Sequence, residues 1–366
     1  MRSRPALDPR EWGSTRNQAS TAAAQNTAPS PGSDDFAHDF VRALSVAPHR
    51  ISPKYFYDAA GSLLFDQICD LPEYYPTRTE LAILRGCVQD IASMMEAEAE
   101  LVEFGAGSLQ KAGLLLRAMR RPARFVPIDI SGEHLQGSVV ALRRSLADES
   151  SPQATALRIT PVTADYTAGL SRVLEGLAPI GPRYGFFPGS TIGNLTPAEA
   201  LEFLRATAEL LRGGALILGT DLIKDPAVLH AAYNDAKGIT ARFNRNLLVR
   251  ANRELDANFA LDAYAHSAFY NAPESRIEMH LMALRQQEVR LCGRRFTLHE
   301  GESLHTENSY KFTVDGVRAL AMQAGFTPGP VWTDPERYFA LHWLHAPAAE
   351  PPHPQGGVHV QRIRPV

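Results

Sequence analysis

The chain has 366 residues, 45% hydrophobic and 21% charged, with a formal net charge of −3, enough apolar material to bury one large or two ordinary cores. Without a long Lys/Arg block it offers nucleic acid no electrostatic footprint, and the balance suits a small polar or zwitterionic substrate. Cys69, Cys87 and Cys292 are scattered, without the paired spacing of a zinc site or a disulfide framework, which fits a reducing cytoplasm.

Residues 1–35 are rich in Ala, Ser, Pro and Asn and hold no apolar run long enough for a signal peptide or membrane span; they read as a disordered segment. A helix is expected over Asp34–Leu44, followed by a stretch dense in aromatics: Tyr55, Phe56, Tyr57, Phe65, Tyr74 and Tyr75. Buried tyrosine hydroxyls need partners, so such a cluster suits a pocket with polar ends. Thr77 and Glu80 form a T-x-x-E capping box, expected to open an amphipathic helix through Leu81, Leu84, Val88 and Ile91.

Leu101–Gly107, LVEFGAG, reads as a buried strand breaking into a tight turn, with the next helix starting in SLQKAGLLLRAM. Ligands of open α/β sheets settle beyond the carboxyl ends of the strands, where glycine lets backbone approach them. A second strand, Arg124–Ile130, carries Asp129 at its tip, 24 residues after Gly105, a spacing that suits a carboxylate receiving ribose hydroxyls. The turn is E-x-G-x-G, with Glu103 ahead of Gly105 and Gly107 and no third glycine. That absence argues against a nicotinamide-dependent oxidoreductase on the same sheet. The form resembles the first motif of S-adenosylmethionine (SAM) methyltransferases.

Strands are expected at Leu157–Thr163, Tyr184–Pro188 and Ala215–Gly219, alternating with helices as in a parallel, doubly wound sheet. Thr196, Pro197 and Glu199 make a second capping box and Gly213 a stop, so Gly189–Asn194 is the loop at a strand's carboxyl end. Asp225 and Pro226 open a helix carrying Tyr233. From His266 the period shifts towards two: HSAFYN, RIEMHLMAL, EVRLC and RFTLHE read as four antiparallel strands of an inserted domain, which the aromatic N-terminal stretch joins in space. A helix at Val314–Ala324 and strands near Val331 and at Phe339–Leu344 close the sheet, and the Pro-rich tail is loosely ordered. The twelve histidines include no H-x-x-x-H pair or Cys/His cluster, and there is no G-x-S-x-G elbow, so metallohydrolase and α/β-hydrolase chemistry lack their residues.

Taken together, YFYDAAGSLLFDQICDLPEYYPTRTE, GSTIGNLTP, GTDLIKDPAVLHAAYNDA, ITARFNRNLL, RIEM and TENSYKF resemble the histidine-specific methyltransferases, which trimethylate the α-amine of L-histidine to hercynine in ergothioneine synthesis. The resemblance covers residues 36 to 345, with FGAG where LGSG is common and FFPGS where FLGS is usual. It implies a Rossmann-like class I methyltransferase sheet with an inserted α+β substrate-binding domain. The chain would divide into a disordered segment at 1–35, an N-terminal part of the substrate domain at 36–79, a SAM-binding domain at 80–225, an inserted domain at 226–309, a return to the sheet at 310–346 and a flexible tail at 347–366.

By position, the resemblance puts Gly105, Gly107, Lys111, Asp129, Asp165 and Tyr166 at the cofactor, with Asp129 on the ribose and Asp165 and Tyr166 flanking the adenine. It puts Tyr57, Phe65, Tyr74, Gly189, Asn194, Tyr233, Met279, Glu307 and Ser309 at the substrate. Asn194 and Tyr233 would hold the carboxylate; Met279, Glu307 and Ser309 would line the imidazole end. Tyr57 is the expected catalytic residue, placing the neutral amine and relaying its proton by hydroxyl or water, and Phe65 would face the growing methylammonium. From pattern alone, Asn194 could be a turn residue, Tyr233 and Met279 core, and Glu307 a solvated group in a charged loop. The expected partners are SAM and L-histidine, with no metal, nucleic acid or membrane, in a cytoplasmic monomer. The alternatives are a methyltransferase for another aromatic amino acid or amine, such as a tryptophan derivative, and a non-catalytic binder.

Overall fold

A computed structural model describes residues 33–147, 157–174 and 176–348. Of the segment expected to be disordered, 1–32 lies outside the described residues, as does 349–366 of the tail, while 33–35 open the first helix.

The sheet is built from apolar runs whose alternate residues go to opposite faces. In order, these are β1 (Glu100–Phe104), β2 (Arg124–Asp129), β3 (Arg158–Ile159), β4 (Val162–Thr163), β5 (Arg183–Phe187) and β6 (Ala215–Asp221). The expected strand at 157–163 is two short pieces, because Pro161 between them cannot donate to the ladder. Nine α-helices among the described residues precede the antiparallel region: α1 (Ser33–Ser45), α2 (Ala59–Cys69), α3 (Tyr75–Ser93), α4 (Gln110–Ala118), α5 (Gly132–Ala147), α6 (Leu170–Val173), α7 (Pro197–Leu210), α8 (Pro226–Tyr233) and α9 (Ile239–Glu254).

That region comprises β7 (Tyr264–Asn271), β8 (Arg276–Ala283), β9 (Gln287–Leu291), β10 (Arg294–Leu298) and β11 (Ser303–Tyr310); α10 (Val314–Gln323), β12 (Thr327–Thr333) and β13 (Phe339–His345) follow. The main sheet runs β12-β13-β6-β5-β1-β2-β3, with β4 also on β2; β1 to β6 are parallel where they pair, and β13 is antiparallel to both neighbours. This is the expected doubly wound sheet. Leu101, Phe125 and Ile217 meet α3, α4 and α5 on one face, while Val102, Val126 and Leu218 meet α6, α7 and α10 on the other.

Two expectations fail. The helix through Leu81 starts at Tyr75, with Pro76 in its first turn, so Thr77 and Glu80 lie inside it and form no capping box. The loop expected around Glu307 is β11, a fifth strand that completes a β11-β8-β7 sheet beside the β9–β10 hairpin. Its sequence, SLHTENSY, hides the strand because a bulge between His305 and Glu307 breaks the alternation.

A separate core joins α1, α2, α8, α9 and the antiparallel strands, through Phe36, Phe40, Phe56, Leu229, Phe243, Leu248, Ile277, Met279 and Leu281. The N-terminal aromatic stretch thus packs with strands some 200 residues later in the chain.

Candidate active site

The carboxyl ends of the parallel strands and the face of β11 carry the residues singled out above. After β1, Gly105 has φ 72°, and the Gly105 and Ala106 amides both donate to Ile128 O at 2.9 Å, which locks the turn against β2. A side chain at Gly105 would stand 3.7 Å from the Tyr166 ring, and nothing lies within 4 Å of where one would stand at Gly107. Asp129 ends β2; one oxygen accepts from the Ser131 amide at 2.8 Å and the other has no hydrogen-bond partner among the described residues. Burial raises its pKa, against the Ser131 amide and His134.

Asp165 accepts from Thr167 N at 2.9 Å and from Lys54 Nζ at 3.0 Å. Burial would raise its pKa, but Thr167 and Lys54 together hold it below the usual range. Lys54, which sequence reasoning missed, precedes Tyr57 and ties the N-terminal stretch to the rim where Asp165 and Tyr166 stand.

Glu80 is the second residue missed. It is fully buried, accepts from the Gly189 amide at 2.9 and 3.0 Å and pairs with Lys111. A side chain at Gly219 would stand 2.2 Å from its Oε1, so that glycine makes room for the carboxylate. The Gly189 amide, expected at the substrate, is therefore committed to Glu80. Glu103 is also buried and its Oε2 has no partner. Burial pushes its pKa up to about 8, with Asp129 and Glu80 adding and Lys111 opposing.

On the substrate side the aromatics form a chain. Tyr57 meets Phe65 edge-on at 5.7 Å, Phe65 meets Tyr74 at 6.3 Å, and Tyr74 meets Tyr233 at 6.4 Å between ring centroids. Phe243 of α9, absent from the expected set, touches both Tyr57 and Phe65; its apolar helical spacing reads only as core. The turn that presents Tyr57 is fixed by Asp58, whose side chain caps α2 at Gly61 N (2.7 Å) and pairs with Arg253 at 2.6 Å. The Tyr57 hydroxyl has no protein partner among the described residues. Burial lifts its pKa well above the usual value, reinforced by Glu307, Tyr166 and Asp129, so it is held as a neutral hydroxyl.

Met279 and Glu307 are register partners across β8 and β11, so they share a face. Burial pushes Glu307 up to about 7, with Lys311 pulling it down. Its carboxylate has no hydrogen-bond or ion-pair partner among the described residues. Tyr233 and Ser309, expected at opposite ends of the substrate, are hydrogen-bonded at 2.7 Å. Asn194 ends the short turn Thr191–Asn194, which packs against β11, and its side chain is uncommitted among the described residues.

Beneath them lies a buried network that the sequence does not announce. Lys311 donates to Ser309 Oγ at 2.8 Å and Tyr233 Oη at 3.2 Å, and pairs with Asp221 at 2.8 Å. Asp221 also accepts from Tyr75 at 2.8 Å and Lys224 at 2.5 Å. One carboxylate thus faces two ammonium groups, and burial pulls Lys224 down to about 8 against the attraction of Asp221.

Glu278, His280 and His305 offer ligand atoms within 4.8 Å of one another on the opposite face of the β11-β8-β7 sheet, since His305 pairs with His280 and Glu307 with Met279. The two imidazoles are stacked, 4.5 Å apart and 15° from parallel, so their in-plane lone pairs run side by side instead of converging. Glu278 is committed to Arg276 at 2.6 Å. This is a satisfied polar stack behind the cleft.

Residues 36–346 match the family described as histidine-specific methyltransferase, SAM-dependent. The histidine N-alpha-methyltransferase of Mycolicibacterium smegmatis is 44% identical over 308 residues, covering 82% of this chain and 92% of that protein. That of Mycobacterium tuberculosis is 42% identical over 309 residues, 83% of this chain and 92% of the other. Ergothioneine biosynthesis protein 1 of Neurospora crassa is 26% identical over 302 residues, 81% of this chain but 33% of the larger protein.

Proposed function

The chain belongs to the histidine-specific, SAM-dependent methyltransferases, and from that premise we propose that it trimethylates the α-amine of L-histidine to hercynine, a step of ergothioneine synthesis. The observation that carries the substrate is the Glu307 carboxylate: half-buried, unpartnered, and two residues from the Ser309 hydroxyl on one strand. A buried acceptor beside a hydroxyl suits a ring with two nitrogens and penalises one that leaves the carboxylate unpaired, by ~1 to 3 kcal/mol.

The cofactor residues fit a SAM-sized ligand by what they leave open: the free oxygen of Asp129 for ribose hydroxyls, the orphaned Oε2 of Glu103 and the space over Gly107. Gly105 and Gly107 would line the cofactor, Lys111 would meet its carboxylate, and Asp165 and Tyr166 its adenine. When bound, SAM supplies an electrophilic methyl group on a sulfonium centre.

The protein's own task is placement. Asn194 holds the substrate carboxylate, while Tyr233, whose proton goes to Ser309 Oγ, backs the ring that Glu307, Ser309 and Met279 hold. Tyr57, a neutral hydroxyl, orients the amine and passes its proton on through its oxygen or a water. The edges and faces of Phe65, Tyr74 and Phe243 receive the cationic product, at ~0.5 to 2 kcal/mol. The reaction ends at three methyls because nitrogen then has no lone pair. The reading includes a cytoplasmic monomer that works without a metal; among the described residues no helix is long and apolar enough to cross a membrane.

Mass spectrometry of purified protein with SAM and L-histidine, with histamine and tryptophan in parallel, tests this. Trimethylated histidine and unmodified histamine are expected. Methylation of tryptophan but not histidine would overturn the ring assignment, and no product from any amine, with SAM bound, would leave a binder.

A further inference from the structure

We propose that Lys311 is a positioning residue for substrate choice: it fixes the Ser309 hydroxyl as a hydrogen donor towards the substrate ring, so that β11 presents one donor and one acceptor and selects imidazole over rings lacking an acceptor nitrogen. The proposal rests on the histidine reading above and deepens it.

The argument is an inventory of protons. An ammonium group has three hydrogens and no lone pair. Those of Lys311 go to Asp221 Oδ2 at 2.8 Å, Ser309 Oγ at 2.8 Å and Tyr233 Oη at 3.2 Å, so both hydroxyl oxygens must accept from it. The two hydroxyls lie 2.7 Å apart, with Tyr233 donating to Ser309. Ser309 Oγ then accepts twice, which fills its lone pairs, and its own proton is left for a ligand.

Nothing nearby frees Lys311 to do otherwise. Asp221 is 1% exposed and its other oxygen is held by Lys224 and Tyr75, so the anion that anchors the ammonium cannot turn away. Two residues back along β11, Glu307 has no partner and can accept. Residues so spaced on a strand are about 6.6 Å apart, close enough for their side chains to bracket one planar ring.

The consequence separates ring types that Glu307 alone would not. An indole N–H satisfies Glu307 but leaves Ser309 without an acceptor, and a thiophene satisfies neither. Only a ring with both N–H and a lone-pair nitrogen answers both. With Lys311 removed, Ser309 can turn its proton to Tyr233 and the demand for an acceptor is relaxed.

The test uses the full chain with SAM, comparing L-histidine with 3-(2-thienyl)-L-alanine, a five-membered ring without either group, by calorimetric binding and by KM and kcat. In Lys311→Met, histidine affinity is expected to fall about tenfold and its KM to rise in step, with kcat and thienylalanine affinity nearly unchanged. Lys311→Arg, which keeps charge and donors, should recover most of the loss. Ser309→Ala should cost histidine about tenfold in the wild-type background and little in Lys311→Met, because the two act as one unit.

Equal losses for both amino acids would overturn the proposal, since Lys311 would then act on the shared carboxylate or on the fold. So would additive losses from Lys311→Met and Ser309→Ala. Should Lys311→Met fail to fold, Lys311→Gln is read by the same criteria. Histidine that binds wild-type protein selectively without being methylated would overturn the activity and leave this assignment standing; no preference for histidine would overturn the assignment.

Discussion

Glu103, buried with its Oε2 unpartnered, and Glu307, half-buried with no side-chain partner among the described residues, are carboxylates the fold leaves uncompensated. Burial raises both above the ordinary carboxyl range, to about 8 and about 7. A raised carboxyl contributes stability that is present below the unfolded value and lost as pH climbs through the folded one. The ligand-free protein should therefore weaken between roughly pH 4.5 and 8. Glu103→Gln, which does not titrate, should gain on the wild type across that window, by on the order of a few kcal/mol at pH 9 relative to pH 5. Urea unfolding at the two pH values reads this, and a difference that stays constant would mean the carboxylate is not desolvated. Glu307→Ala makes the complementary test of substrate choice. Its kcat/KM for histidine should drop by about 10- to 100-fold while 3-(2-thienyl)-L-alanine, which makes no hydrogen bond to the carboxylate, is not weakened; an unchanged histidine KM would remove Glu307 from the ring site.

At the scale of elements, the site depends on helices and strands making room for one another. Glu80 reaches from α3 across β6 to the loop after β5 and to Lys111 on α4, and it can do so because β6 has glycine at 219. Gly219→Ala would drive a methyl into a fixed, fully buried carboxylate. A loss of ~1 to 3 kcal/mol in stability is expected, together with weaker SAM binding as Lys111 and Gly189 shift; a variant with wild-type melting and SAM affinity would refute this packing. Such a linkage also explains what could be read in advance. The strand and helix alternation, the glycine turn and Asp129 were legible because each follows from local periodicity or a fixed spacing. Glu80 was misread as a cap because T-x-x-E is a local pattern, whereas its partners lie 31 and 109 residues away. The strand β11 was read as a loop because its polar residues serve the cleft and its bulge breaks the period. Lys54, Phe243 and Lys311 left no signal, since a lone lysine or an apolar helix position gains its meaning only from what the fold sets against it.

Across the whole molecule, the two ends of the main sheet do different work. The carboxyl ends carry Gly105, Asp129, Gly189 and Asp221, while the amino ends carry a buried charge cluster. Glu100, 0% exposed, pairs with both Arg124 and Arg183 across three adjacent strands. The guanidiniums are further held by Ala178 O at 2.7 Å and Leu177 O at 3.0 Å. Removing the carboxylate would leave two buried cations without an anion, which costs about 3 to 5 kcal/mol. Yet Gly105 lies five residue steps along β1 from Glu100, about 16 Å of fully buried strand. Glu100→Gln should therefore lower the denaturation midpoint severely while leaving KM for histidine and SAM unchanged at a temperature where the variant is folded. Paired denaturant titration and kinetics decide the matter. A variant whose KM rises along with its loss of stability would show that strain at the amino ends reaches the cleft, and that the sheet does not insulate binding from its own anchoring.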